Sequence, residues 1–225
     1  MGSKLSKDGC FHFPTMDERN LDTLRDYLCN YNPPEGCGSS CINILLVCMV
    51  GAGKSSIINT FLSALHPQGP TMTCVPTGMN PQSVTPEHSI PDLYIANYPI
   101  IPENVIHGVI FIFDIDTTDF ISDDKMKEFQ ELQTMVAQKY VHRVVIGTKF
   151  ELLGIPEKHN AWIYEYEPLQ RKFEQLAKRT GMDRRSMFVV SNQWTGEQIE
   201  MIKCILALYV LNNMVRNIDR FLKAQ

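Results

Sequence analysis

The stretch Ile42-Asn43-Ile44-Leu45-Leu46-Val47-Cys48-Met49-Val50 runs straight into Gly51-Ala52-Gly53-Lys54-Ser55-Ser56, and its reading decides the fold. Apart from Asn43, residues 42–50 are continuously apolar, the pattern of a strand buried on both faces in a parallel sheet. From Ser55 to Leu65, Ile57, Ile58, Phe61, Leu62 and Leu65 recur on one helical face, and Pro67, Gly69 and Pro70 stop the helix. Strand, glycine loop and helix therefore follow one another without a gap.

That order is the setting in which a phosphate-cradling loop is recognised. Consecutive backbone N–H groups at a helix N-terminus meet anionic oxygens without water, provided the loop can wrap closely, and Gly51 and Gly53 permit the wrap. In such a loop Lys54 places its ammonium between the β- and γ-phosphates, and the Ser55 hydroxyl ligates the bridging Mg²⁺. Ala52 and Ser56 complete the cradle. The pattern G-x-x-x-x-G-K-[ST] asks for glycine where Cys48 stands, so the match is defective at its first position. The bland alternative is a glycine turn with a surface lysine that binds nothing.

Outward from the loop, strand and helix signals alternate. Residues 17–31 place Leu21, Leu24, Tyr27, Leu28 and Tyr31 at helical spacing, and Asn32-Pro33-Pro34-Glu35-Gly36 ends that helix. Residues 71–102 are rich in proline and poor in periodic signal, which marks a functional or mobile segment. Regularity resumes with a buried-strand run at 108–114, a helix over 122–140, a strand over 143–148, a helix over 165–180 closed by Gly181, a short strand at 187–190 and a last helix from about 196 to 222. Alternation of this kind predicts a doubly wound α/β sheet.

Two later loops bear on the base of a nucleotide. Thr148-Lys149-Phe150-Glu151 ends a predicted strand and imitates the N/T-K-x-D sequence whose carboxylate accepts from guanine, with glutamate adding a methylene. Ser191-Asn192 follows the next strand, where a third guanine-side loop belongs. With residues 42–56, 109–114 and 189–192 on the page, the chain resembles the interferon-induced protein 44 family of GTPase-like proteins over residues 20–222. The resemblance implies an α/β P-loop NTPase fold of GTPase type, a three-layer sandwich with a mainly parallel sheet and an N-terminal helical extension. It divides the chain into a tail at 1–15, a helix and linker at 16–40, and a GTPase-like domain at 41–225 with a shortened switch region at 66–107.

The resemblance further implies GTP or GDP with Mg²⁺ as ligands, a cytosolic place in the immune response, and protein partners that the residues do not identify. Phosphates are expected on residues 51–56, Mg²⁺ on Ser55, and the base near Thr148, Lys149, Glu151, Ser191 and Asn192. Hydrolysis needs a D-x-x-G turn and a closing threonine. No D-x-x-G stands in the right place, and nothing selects among Thr71, Thr73 and Thr77, so turnover is expected to be slow or absent. Asp114 ends an apolar run and imitates a Walker B carboxylate, which implies an ATPase-like P-loop domain if its strand lies beside the glycine-loop strand; the GTPase order is expected to put that strand one further out, leaving Asp114 too distant for Mg²⁺ and a strand-end cap. An adenine-nucleotide protein and a non-catalytic interaction module on the same fold are the alternatives.

Composition narrows the remaining classes. A net charge of −4, from 21 basic and 25 acidic residues spread along the chain, offers no concentrated basic face for nucleic acid. Seven cysteines, none in C-x-x-C spacing, read as reduced thiols in a cytosolic protein; Cys37 and Cys41 lack the second ligand pair of a zinc site. No run is long enough to span a membrane, and the N-terminus lacks a secretory core. Met1-Gly2-Ser3-Lys4-Leu5-Ser6 fits an N-myristoylation pattern, with Cys10 or Lys4 and Lys7 as second signal, so membrane attachment is expected only if Gly2 is acylated. The scattered histidines form no hydrolytic triad. Asp114, Asp116, Asp119, Asp123 and Asp124 lack EF-hand spacing and read as a solvated loop and helix start.

Overall fold

The computed structural model describes residues 14–35, 40–49, 51–66, 105–154, 162–192 and 201–224. The acylation pattern, the proline-rich stretch with Thr71, Thr73 and Thr77, and Cys10, Cys37 and Cys74 lie outside the described residues.

Helix α1 (Glu18–Cys29) precedes strand β1 (Ile44–Cys48), helix α2 (Lys54–Leu65), strand β2 (Gly108–Asp114), helix α3 (Asp123–Gln138), strand β3 (His142–Thr148), helix α4 (Glu167–Thr180), strand β4 (Met187–Val189) and helix α5 (Met201–Lys223). The four strands form one parallel sheet in the order β1-β2-β3-β4. Local chemistry sets the helix starts. Asp17 caps α1 by accepting from the Asn20 N–H at 2.8 Å, and Ser122 caps α3 by accepting from Lys125 N–H, each satisfying a donor the helix cannot pair itself. Gly181, left-handed at φ 72°, closes α4, as expected of a helix-ending glycine.

Period-two alternation along the strands divides the core. Ile110, Ile112, Val144, Ile146, Phe188 and Val190 face α1, α2 and α5, while Val109, Phe111, Phe113, Val145, Met187 and Val189 face α3 and α4. The result is three layers: helices, sheet, helices. Leu21 and Leu24 of α1 are buried in the first cluster, and Arg25 donates from Nε to the Ala64 carbonyl at 2.8 Å, so α1 grips the far end of the helix that begins at Lys54.

Two expectations are corrected. Strand β1 is half-buried along its whole length, not buried on both faces; among the described residues it pairs with β2 alone. Strand β2 does not lie one strand out. It hydrogen-bonds directly to β1, from Ile44 opposite Gly108 to Cys48 opposite Ile112. The uninterrupted apolar run 109–113, buried on both faces, takes the place beside the glycine-loop strand, so Asp114 stands at the same sheet edge as the glycine loop.

Candidate functional site

All four strands point their C-terminal ends to one edge, where ligands of open parallel sheets bind. The glycine loop occupies the end of β1. Gly51 (φ 82°) and Gly53 (φ 93°) are left-handed, a conformation that side chains disfavour. At Gly53 space forbids one as well, because a Cβ would stand 2.8 Å from Nδ2 of Asn192. Helix α2 then begins at Lys54 with no side-chain cap, which leaves the first-turn N–H groups for a ligand or water. Among the described residues no carboxylate pairs with Lys54. Cys48, where a glycine is usual, has its thiol pushed up by burial, opposed by the charge and the backbone N–H of Lys54. These residues fit a polyphosphate: two left-handed glycines, a 12-residue helix without a side-chain cap and a lysine that has no carboxylate partner among the described residues stand together at the sheet edge. Ser55, on the first turn, is the hydroxyl available to a Mg²⁺ ion bound with it.

The residues expected at the base behave differently. Thr148 is fully buried and its hydroxyl faces two carbonyls, Ala52 at 2.8 Å and Phe113 at 3.1 Å. It is a strut under the glycine loop. Asn192 packs its amide nitrogen on Gly53, and its Oδ1 accepts from Thr60 Oγ1 at 3.3 Å, the same hydroxyl that bonds the Ser56 carbonyl at 2.8 Å. Ser191 is 4% exposed. Glu151 has one carboxylate oxygen, Oε2, sealed from solvent and without a hydrogen-bond partner; burial raises its pKa, against weaker lowering by its own backbone N–H, Lys203 and Lys149. The structure thus brings Thr148, Asn192 and the glycine loop together. It does not present Thr148, Ser191 or the Glu151 Oε2 as surface groups.

Lys149, left-handed at φ 58°, extends its ammonium to Asp114 Oδ2 at 2.6 Å, while Asp114 Oδ1 accepts from the Asp116 N–H at 3.2 Å. Asp114 does cap its strand end, but the ground for that expectation fails: its strand lies directly beside the glycine-loop strand, the arrangement on which the ATPase-type alternative depended. Together with Met49, Gly51, Ala52 and Phe120 the Lys149–Asp114 pair lines a cleft of about 330 Å³. The acidic residues that follow are solvated, as expected: Asp119 and Asp123 are exposed even where Lys172 pairs with Asp119 at 2.5 Å and Arg179 with Asp123 at 3.3 Å, and Arg179 also donates to the Thr118 and Ile121 carbonyls. No group of three metal-binding side chains occurs among the described residues. The turn is held by α4, with Phe120 left 85% exposed.

Thr60 and the Lys149–Asp114 pair were not anticipated. The first had a signal, a hydroxyl four residues after Ser56 on the same helix; the second needed the strand order.

Fold and site together define an α/β protein with a strand–glycine loop–helix unit at the C-terminal edge of a parallel sheet. No family model matches the chain. Interferon-induced protein 44 of Mus musculus is 24% identical over 119 residues, covering 52% of this chain and 28% of that protein. The Homo sapiens protein of the same name is 24% identical over 119 residues, with 52% and 27% covered. The matched part thus spans little more than a quarter of these relatives, a distant relationship.

Proposed function

We propose that this chain is a GTPase-like nucleotide-binding protein, holding the phosphates on residues 51–56 and Mg²⁺ on Ser55, with slow or absent turnover. The observation that carries the reading is Gly53: its positive φ and the 2.8 Å approach of Asn192 demand glycine immediately before an uncapped helix whose first residue is a lysine without a carboxylate partner. Left-handed glycines also serve plain turns here, as at Gly181; what a plain turn does not need is the combination with the uncapped helix and Lys54. GTP is the first ligand to try, because Lys149-Phe150-Glu151 and Ser191-Asn192 follow the glycine loop in GTPase order. The name shared by the distant relatives supports a place in an interferon response, and induction of the transcript by interferon tests that part.

The test of binding is equilibrium titration of fluorescent GTP and ATP analogues with and without Mg²⁺, using Lys54→Ala as control. Binding that depends on Lys54 supports the reading; its absence leaves the second one, an interaction module that keeps the fold without the ligand. What favours that second reading is the structural use already made of Thr148 and Asn192. It predicts that Lys54→Ala stays folded and keeps its cellular effect.

A further inference from the structure

We infer that the site selects on the polyphosphate and is indifferent to the base, so that its ligand class is the nucleoside triphosphates as a group, with inorganic tripolyphosphate bound comparably. The inference rests on the reading that phosphates sit on residues 51–56.

Reading guanine requires groups shown to it. A pocket that hydrogen-bonds its ligand discriminates strongly because the wrong ligand strands a buried polar group. Among the described residues of the two base-side loops, the polar groups are instead engaged within the protein. Thr148 is 0% exposed, with its hydroxyl between the Ala52 and Phe113 carbonyls. Asn192 is set against Gly53 and Thr60. Ser191 is buried, and the Lys149 side chain, 38% exposed on the cleft, is held by Asp114 at 2.6 Å. Glu151, which would accept from guanine, keeps Oε2 sealed and unpartnered. A guanine edge reaching that oxygen would first have to open the loop.

These withdrawals have a shared result. Three of the five residues brace the phosphate loop or its neighbouring turn: Thr148 under Ala52, Asn192 behind Gly53, Lys149 on the Asp114 cap. The loops that would read a base hold the phosphate cradle in shape. Of the exposed groups beside them among the described residues, Leu152 at 56% and Phe120 at 85% carry no polar atom and Lys149 is paired with Asp114; contact with a ring face tolerates any base.

The experiment is calorimetric titration of the full chain with Mg·GTP, Mg·ATP and Mg·tripolyphosphate, repeated on Glu151→Gln and Lys54→Ala. Affinities within about 5-fold of one another, a GTP-to-ATP ratio unchanged by Glu151→Gln, and loss of all three in Lys54→Ala are expected where no directional base contact exists. GTP preferred over ATP by about 30-fold or more, with the preference collapsing in Glu151→Gln, overturns base indifference and leaves nucleotide binding intact, since a polar contact of that size is worth about 2 kcal/mol. No heat with any of the three overturns the phosphate-binding reading and this inference with it.

Discussion

The glycine loop and the two loops after β3 and β4 lie at the same sheet edge, yet they treat their polar groups in opposite ways. At the loop, a helix end without a side-chain cap and a Lys54 with no carboxylate partner among the described residues remain available. In the other two, Thr148, Lys149 and Asn192 are engaged with carbonyls, a carboxylate and a glycine. Motif spacing alone treats both regions as ligand contacts. The geometry teaches that one region is a candidate surface and the other a support for it.

The contrast breaks most easily at Lys54. Lys54→Ala should weaken polyphosphate binding by about 100-fold, near 3 kcal/mol for a charge-assisted contact, while circular dichroism and melting stay at wild-type values. Loss of fold instead would place Lys54 on the supporting side. Gly53→Ala should cost both, since left-handed strain adds about 1–3 kcal/mol to the contact with Asn192; a variant with unchanged melting temperature contradicts the close approach seen here.

Thr148→Val keeps the shape and removes the one hydroxyl proton shared between the buried Ala52 and Phe113 carbonyls. Chemical denaturation should show about 1–3 kcal/mol of lost stability, and GTP and ATP should weaken by equal factors. Unequal weakening would return Thr148 to the base. Glu151→Gln should raise the melting temperature slightly, because burial lifts the folded pKa of Glu151. The sign follows from linkage: a carboxyl favoured in its neutral form stabilises below its unfolded pKa, and that contribution is lost as pH rises through the acid range. Wild type should therefore narrow the gap to Glu151→Gln as pH falls from 7 toward 4. The smallest effect is at Cys204, whose thiol burial pushes up to about 11; peptide mapping after iodoacetamide at pH 8 should find Cys204 unmodified in the folded chain while exposed Cys29 and Cys41 react.

Much of the fold is legible in the sequence because period and punctuation are local signals. Apolar runs at 44–48 and 108–114, the stripe Leu169, Phe173, Leu176 and the stop at Gly181 each mark an element within a few residues of its observed bounds. Strand order is not local. The run 108–114 announces a buried strand but not its neighbour, and only the pairing with β1 places Asp114 beside the loop. The glycines of the loop are legible for a related reason, since positive φ leaves few residue choices. The direction of a side chain within a loop leaves no such mark: Thr148-Lys149-Phe150-Glu151 reads the same whether its polar groups face a ligand or, as here, Ala52, Phe113 and Asp114.

The most direct measurement is calorimetric titration of Mg·tripolyphosphate, which has no base, into wild-type protein and Lys54→Ala. Saturable binding by wild type that disappears in Lys54→Ala is the predicted result. Absence of binding to wild type, or binding that survives in Lys54→Ala, would contradict a phosphate cradle at residues 51–56.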